Sequence, residues 1–530
     1  MRLLLRCDAG PSTGVGHAVR CAAVAEAALL SGHQVFWSGH LDGLDWLWAG
    51  LLRFRWRAYR PLPDAAVEPP PGPPGTVLPP VDSTDDLLAL CREHRIDAVH
   101  VDHYLLGTGL RDALNAAGVV LSTVEDFGTG RRPGDVVVDP NLGAGDHPRP
   151  DDGSTVLLRG PDYAPLRIAA RRARRLRAIR ASAAPSAAAG CPPRVLVVMG
   201  GTDAAGLLPR VIAALHATDA PAEVDVVVPP GRDLDLPGDG PARFRAIPPL
   251  PDLPAAMAET DLVVSAAGTT VWELCCVGVP MALVRAAGNQ AEGYRTVVDS
   301  GAAAGLGEAD DLSAPEPAAT VLRALLTDPD RRDGLAGRAC TVVDGEGANR
   351  VVDAVATTAG LPADTGARDL VERTYLGAVL HARPAVLDDA ELLLHWRNDP
   401  ETRRWSRSTG EIDLDAHRRW LAGSLDREDR RLLVVSDLDG PVGTVRWDRE
   451  APGWEVSITV APERRGSGLA IPLLRAGEEA LRARAGAGTP VIAVVHADNA
   501  ASARLFARAG YVDDEAGLDA DGFRTLRRTL

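Results

Sequence analysis

The chain has 530 residues, 46% of them hydrophobic and 24% charged, which suits a folded protein of about three domains at roughly 100–200 residues each. A formal net charge of −15 excludes a general nucleic-acid binder, which needs a basic footprint to neutralise phosphates. The chain contains no lysine, so all 57 basic residues are arginine, and this excludes Schiff-base catalysis and the lysine of a phosphate-binding loop.

The seven cysteines, at 7, 21, 91, 191, 275, 276 and 340, form no CxxC pair and are odd in number. Free thiols in a reducing compartment follow. The apolar run at 3–5 is too short for a signal peptide, and no stretch of about 20 apolar residues occurs. These features predict a cytoplasmic protein with no membrane association.

Through the first 360 residues, strand-like apolar runs (3–6, 98–101, 119–124, 136–138) alternate with helical patterns (18–31, 85–94). This is the rhythm of a parallel sheet covered on both faces. The proline-rich stretch 61–80 interrupts it as a surface loop. The helix predicted over 166–180 carries seven arginines and is read as a solvated or interdomain face, given the acidic total. A low-complexity joint at 181–193 follows. The rhythm then restarts at 194–198 and runs into Gly200-Gly201. Two Rossmann-like halves, 1–180 and 193–358, with a ligand in the cleft between them, are the expected architecture. After a linker at 359–377 the pattern changes to α+β over 378–530. It comprises a hairpin at 432–436 and 442–447 around Asp437-Leu438-Asp439-Gly440, a strand at 454–460, a helix at 471–484, a strand at 491–496, a helix at 501–509 and a strand at 511–513.

Two constellations carry chemistry in the first 360 residues. In the first, Arg6-Cys7-Asp8 ends a strand, and Gly14-Val15-Gly16-His17 followed by Arg20 opens a helix. Glycine lets backbone approach a ligand, and a helix N-terminus offers N–H groups to an anion. In the second, Ala266-Ala267-Gly268-Thr269-Thr270-Val271-Trp272-Glu273 follows a strand and precedes Gly278-Val279-Pro280 and Asn289-Gln290. Its turn suits a diphosphate, and Glu273, one turn into the helix, suits a ribose diol.

Together with Asp102-His103-Tyr104, Glu125-Asp126, the run Gly160–Arg167 and Gly200-Gly201-Thr202-Asp203, these motifs resemble the UDP-2,4-diacetamido-2,4,6-trideoxy-β-L-altropyranose hydrolases of pseudaminic acid synthesis. The resemblance covers about residues 1–355 and implies a MurG-like, glycosyltransferase-B-type double Rossmann fold. It implies His17 as the residue that handles the attacking water, with Asp8 as its candidate orienter. Gly16, Arg20, Gly201, Gly268, Thr269, Thr270, Glu273, Asn289 and Gln290 would hold the UDP-sugar. Glu125 stands where the family has aspartate. No metal-ligand spacing is visible, so no metal is expected.

In the C-terminal region, Val460-Ala461-Pro462-Glu463-Arg464-Arg465-Gly466-Ser467-Gly468-Leu469-Ala470 joins a strand to a helix, with Asn499, Phe506 and Tyr511 downstream. Over about 378–520 this resembles the GNAT acetyltransferases. The resemblance implies acetyl-CoA on Val460, Arg465, Gly466, Ser467, Gly468, Leu469, Ala470 and Asn499. Glu455 is the candidate base for the substrate amine. Phe506 stands where many GNAT enzymes carry the tyrosine that protonates the leaving thiolate, and Tyr511 is a weak substitute. The segments around His395–Asp399 and His417–Leu421 resemble the acetyltransferase of the same pathway, which acts on a UDP-4-amino-sugar.

The expected protein is a bifunctional enzyme: it acetylates a UDP-amino-sugar and hydrolyses the UDP-diacetamido sugar that results. A glycosyltransferase–acetyltransferase fusion, or a sugar-nucleotide-binding protein with a degenerate GNAT module, are the alternatives.

Overall fold

The structure is a computed structural model. It describes residues 1–10, 14–41, 43–48, 73–103, 106–183, 192–362, 366, 368–369, 376, 379–406, 408–451, 453–486 and 488–530. Cys191, Tyr104, most of the proline-rich stretch, most of the joint at 181–193 and part of the linker at 359–377 lie outside the described residues. The chain forms two compact units, one within residues 1–376 and one built from Gly377–Leu530.

The first unit holds two all-parallel sheets. Apolar runs set the strands of the first: β1 (Arg2–Cys7), β2 (Gln34–Ser38), β3 (Thr76–Val77), β4 (Ala98–Asp102), β5 (Val120–Val124), β7 (Val136–Asp139) and β8 (Val156–Arg159). The short strand β6 (Phe127–Gly130) lies outside that sheet, whose order is β3-β2-β1-β4-β5-β7-β8. The second sheet comprises β9 (Arg194–Val198), β10 (Ala222–Val227), β11 (Ala242–Ile247), β12 (Leu262–Ala266), β13 (Met281–Arg285) and β14 (Ala304–Glu308), in the order β11-β10-β9-β12-β13-β14. Renumbered from its own first strand, that is 3-2-1-4-5-6, the Rossmann order. The first sheet repeats its opening, 3-2-1-4-5. Each sheet therefore reverses direction at one point, β1/β4 in the first and β9/β12 in the second, and ligands of such folds bind beyond the strand ends at that reversal.

One departure from the sequence reading has a simple cause. Part of the proline-rich stretch is not loop: Thr76–Val77 pairs with β2 as an edge strand, where prolines nearby cost no ladder bonds. The basic helix, Ile168–Ala183, sends several of its arginines to carbonyls far along the chain. Arg174 reaches Val343 O at 2.9 Å and Arg177 reaches Thr260 O at 2.8 Å. It is a structural latch, capped at its start by buried Glu26, whose Oε2 accepts from Ile168 N at 2.7 Å.

The helix Gly347–Thr358 follows the second sheet in sequence but packs on the first. Its Ala348, Val351, Val352 and Val355 join Leu3, Leu5, Ala22 and Val138 in one core. An added Cβ at Gly347 would overlap the backbone of Ala164, so only glycine allows that approach.

The second unit is one mixed sheet, β15-β16-β17-β18-β19-β21-β20, built from β15 (His381–Pro384), β16 (Arg430–Asp437), β17 (Gly440–Glu450), β18 (Gly453–Val460), β19 (Pro490–His496), β20 (Val512–Leu518) and β21 (Phe523–Thr529). The expected hairpin is β16/β17. The last strand, β21, escaped the sequence reading because Phe523–Thr529 carries three arginines, two of them adjacent, and so lacks a clean period-2 pattern. β18 and β19 are the one parallel pair and register only at 454–456 with 491–493. The strands continue beyond that pairing, so the sheet opens there.

Val351→Ala should destabilise the first unit by roughly 2 kcal/mol, the transfer and cavity terms for a fully buried valine side chain. A thermal melt with an unchanged midpoint would show that this helix does not belong to the first core.

Candidate functional site

The two reversal points of the first unit face one cleft of about 620 Å³. Its walls come from the loops after β1, β9 and β12, together with Trp46, Asp126, Asn141, Arg167, Asn289 and Gln290. Gly16, His17, Arg20, Gly201, Gly268, Thr269, Thr270, Glu273, Asn289 and Gln290 all line it. The glycines are there because the loops touch. A Cβ on Gly16 would lie 2.8 Å from Thr269 Oγ1, and one on Gly201 would overlap the side chain of Val15.

His17 stands at the start of the helix Gly16–Leu30. Its Nδ1 lies 2.6 Å from Asp102 Oδ1 at the end of β4. Arg20, one turn further, bonds the same carboxylate through Nε at 2.7 Å and Nη2 at 2.8 Å. Asp102 is fully buried. Burial alone would raise its carboxyl, but the charges of Arg20 and His17 outweigh it and hold the group well below the usual carboxylate range.

The carboxylate against His17 Nδ1 is that of Asp102, whereas the candidate orienter Asp8 has other partners. Arg6 Nη1 holds it at 2.6 Å, the His40 backbone N–H at 2.9 Å and His103 Nε2 at 2.7 Å. The reason is register: β1 pairs with β4 so that Cys7 lies opposite Asp102, and the next residue on each strand, Asp8 and His103, forms a second histidine–carboxylate pair. Burial raises the Asp8 carboxyl, yet the Arg6 and His40 hydrogen bonds bring it below its ordinary value.

The acidic pair divides its labour. Glu125 is buried and bonds Arg149 at 3.0 Å. Asp126 lines the cleft and takes Arg20 Nη1 at 3.0 Å and Asn141 Nδ2 at 3.1 Å. Asn141 also bonds Asp139 at 2.7 Å. Burial, reinforced by the charge of Asp126 and opposed by these hydrogen bonds, pushes the Asp139 carboxyl up to about 6.

On the opposite wall, Gly268–Thr269 leads into the helix Thr270–Val277. Glu273 is 5% exposed and lies 3.3 Å from Arg167 Nη2. Burial raises its carboxyl, and Arg167 opposes the rise. Gln290 turns its Oε1 to the Ala286 backbone N–H at 2.9 Å, which leaves its amide nitrogen on the side of Gly268. Arg167 and Asn141 had no assigned role in the sequence reading. Arg167 lies 106 residues from Glu273 along the chain, and only the fold brings the two together.

In the second unit, Gly466 and Gly468 adopt φ of 78° and 77°, a region that favours glycine. Nothing lies within 4 Å of a Cβ built on either. They open the 16-residue helix Ala470–Ala485, which has no side-chain cap at Leu469. An open glycine turn before an uncapped helix start, next to the opening between β18 and β19, fits a pyrophosphate-bearing cofactor. Ser467 bonds back to Arg464 O. The Arg465 side chain meets Asp399 and Thr402 through Nη2, both at 2.8 Å. Asn499 caps the helix Ala500–Arg508 by accepting from Ser502 N at 3.0 Å. Val460 ends β18 and Glu455 sits on it, opposite Asp448 and Ile492. Tyr511 is unsuited to proton donation: its buried hydroxyl donates to Glu478 at 3.0 Å, and burial together with that carboxylate raises it far above a phenol's ordinary range.

Residues 380–512 match the acetyltransferase (GNAT) domain. Over 141 residues, 26% of the chain, the protein is 35% identical to the UDP-N-acetylglucosamine–N-acetylmuramyl-(pentapeptide) pyrophosphoryl-undecaprenol N-acetylglucosamine transferase of Xanthomonas axonopodis pv. citri (strain 306). The chain spans about a third of that relative's length, 33%. Among solved structures, MurG of Acinetobacter baumannii aligns with 67% of this chain and 99% of its own, at 18% identity and a TM-score of 0.45. A spermidine N-acetyltransferase from Vibrio cholerae, in complex with CoA and spermine, aligns with 28% of this chain and 94% of its own, at 17% identity and a TM-score of 0.26. Two Rossmann-type parallel sheets and a GNAT domain thus share one chain, as the sequence predicts. Among the described residues no helix is long and apolar enough to cross a membrane.

The contact between the glycine loops gives a direct test of the cleft. Gly201→Ala should cost about 1–3 kcal/mol through overlap with Val15, and Val15→Ala in the same protein should recover most of it. A double-mutant cycle in thermal unfolding with no coupling would show that the loops do not meet.

Proposed function

We propose that the glycosyltransferase-like module hydrolyses a UDP-linked diacetamido-trideoxy sugar at its anomeric carbon, and that the GNAT domain acetylates the UDP-4-amino-sugar precursor with acetyl-CoA. These are consecutive steps of nonulosonic (pseudaminic) acid synthesis. The observation that carries the first half is the His17–Asp102 pair at one reversal point, facing the Gly268–Thr270 turn of the other.

An ionised carboxylate only accepts hydrogen bonds. Asp102 therefore fixes the proton of a neutral His17 on Nδ1 and puts the ring's lone pair on Nε2, the atom that takes a proton from water. Water's oxygen bonds to the anomeric carbon as the bond to the diphosphate oxygen breaks. UDP leaves as an anion towards the N-terminus of the helix Thr270–Val277, whose dipole and N–H groups stabilise the developing charge. Glu273 accepts from the ribose hydroxyls, and Asn289 and Gln290 complete that wall.

In the GNAT domain, acetyl-CoA supplies an activated thioester. Gly466–Ala470 hold its pyrophosphate through backbone N–H groups, with Val460 and Asn499 at the ends of the opened strands. The substrate nitrogen bonds to the acetyl carbon as the carbon–sulfur bond breaks, and Glu455 takes the amine proton, directly or through water.

A second reading has specific support. The 35% identity to an N-acetylglucosamine transferase favours a sugar acceptor in place of water. Incubation with UDP-sugars alone separates the two: hydrolysis releases UDP without any acceptor, whereas a transferase releases little until one is added.

His17→Ala should abolish UDP release while UDP still binds. Asp102→Asn should lower kcat by about 10²–10⁴-fold, because the amide can present an N–H where the ring needs an acceptor. Asp8→Asn should cost far less. Equal losses in the two aspartate variants would sink the assignment of Asp102.

Gly468→Glu should stop thiol release from acetyl-CoA and spare UDP release from pre-acetylated substrate. The side chain is strained at this φ, and its carboxylate repels the pyrophosphate. Retained acetyl transfer in the folded variant would show that the cofactor does not sit on this turn.

A further inference from the structure

Asn141 stands just beyond the end of β7, is 9% exposed and lines the cleft. Its amide nitrogen donates to Asp126 Oδ1 at 3.1 Å and to Asp139 Oδ1 at 2.7 Å. A carboxamide has two N–H donors, so both are committed. Turning the amide over would press its oxygen against two carboxylates, and like charge excludes that arrangement. Electrostatics therefore fixes which end of the amide points where. The oxygen, Oδ1, is left on the side away from both acids, and among the described residues no donor meets it. Across the cleft it faces Gly293 of the helix Ala291–Asp299, where a Cβ would stand 3.8 Å from it. Glycine leaves that space without a side chain.

Asn141 belongs to the His17 side of the cleft. Asp126 takes one of its N–H groups and also Arg20, and Arg20 shares Asp102 with His17. Both oxygens of Asp126 already accept from Arg20. The oxygen of Asn141 is thus the acceptor of this wall still without a donor. A nearly buried carbonyl in that state is costly, and an N–H or O–H of a ligand would remove the cost.

We propose that Asn141 is a specificity-determining residue: its Oδ1 accepts a hydrogen bond from the N–H of an acetamido group on the bound sugar. This rests on the UDP-sugar reading of the cleft. The ring donors of a diacetamido-trideoxy sugar are two amide N–H groups and the 3-hydroxyl. An oxygen with no proton of its own turns away substituents that bring only lone pairs. An amide N–H suits it better than a hydroxyl, because the planar amide holds its N–H in one direction and gives up no rotor on binding.

A purely structural Asn141, bridging Asp126 and Asp139, makes a different prediction. Losing a bridge slows every substrate alike. Losing a reader slows only substrates that carry the group it reads.

The experiment measures UDP release by the full-length chain at pH 8, where the Asp139 carboxyl, pushed up to about 6, is ionised. The substrates are the UDP-linked diacetamido-trideoxy sugar and three analogues, lacking the 2-acetamido group, the 4-acetamido group or the 3-hydroxyl. The proteins are wild type and Asn141→Ala. On the complete sugar Asn141→Ala should lose about tenfold or more in kcat/KM, the effect of one buried donor left unpaired. On one of the two analogues lacking an acetamido group, variant and wild type should perform alike. Both proteins should bind UDP itself with the same affinity in calorimetry. No loss on the complete sugar overturns the inference, as does an equal loss on all four substrates. If the difference vanishes on the 3-deoxy analogue instead, Asn141 reads a hydroxyl, and the inference is wrong. If wild type releases no UDP from the complete sugar, the hydrolase reading falls and takes this inference with it. If Asn141→Ala does not fold, Asn141→Ser goes through the same comparison, since its hydroxyl can still donate to a carboxylate while the amide oxygen is gone, and the same outcomes decide.

Discussion

Asp102 has no exposed surface, and much of the first unit is arranged around keeping it charged. Burying a carboxylate costs several kcal/mol unless its oxygens are matched by donors. Here His17 and two N–H groups of Arg20 supply them. Both residues come from one helix at a spacing of three, which puts them on the same face. Arg20 then needs a second anion and finds Asp126, Asp126 takes Asn141, and Asn141 takes Asp139. The orientation of His17 is thus set by a network that reaches from the helix after β1 to the end of β7. Removing Arg20 would leave Asp102 buried with one partner and free the imidazole to turn.

The same reasoning shows what was legible in the sequence. The glycine turns at 14–16, 200–201, 268 and 466–468 announce themselves, because close backbone approach and left-handed φ need glycine whatever the tertiary context. Apolar runs bounded by those turns identify the parallel strands. Spacing can also say that His17 and Arg20 share a face. It cannot say which acid they meet. Asp8, nine residues away in sequence, looks nearer than Asp102, yet the pairing of β1 with β4 sends Asp8 to His103 instead. Arg167 shows the same limit over 106 residues: its motif was visible, but its partner Glu273 depends on how the connector crosses to the second sheet. The helix Gly347–Thr358 belongs to the second half by sequence and to the first core by packing, since an apolar stripe does not name the surface that covers it.

The two reversal points also suit the proposed diphosphate in a chain of net charge −15. Helices after β1 and β12 both begin at the cleft, so two positive helix ends converge where the carboxylates of Asp102 and Asp126 are already paired with Arg20. The acidic residues that set the overall charge are mostly elsewhere on the surface. Local field, and not net charge, decides what this cleft attracts.

The GNAT domain raises a separate chemical question, because its helix Ala500–Arg508 carries Phe506 where a phenol would otherwise protonate the departing sulfur. Phe506 is buried, with its ring 5.1 Å from that of Tyr511, so it contributes packing alone. Tyr511 cannot stand in: Glu478 holds its hydroxyl, and Arg475 and Arg528 hold Glu478. That buried cluster costs the domain a proton donor and gives the end of the fold a fully matched polar core. The chemical loss is modest. A thiol with an ordinary pKa of about 8.5 leaves as thiolate near neutrality without a strong acid, unlike an amine or alkoxide. The harder proton in acetyl transfer is the one on the attacking amine, which must be gone before its lone pair can form the new bond. The demand on this active site therefore falls on a base such as Glu455 and on the electrostatics around it, where Asp448 across the strand is neutralised by Arg430 and Arg446.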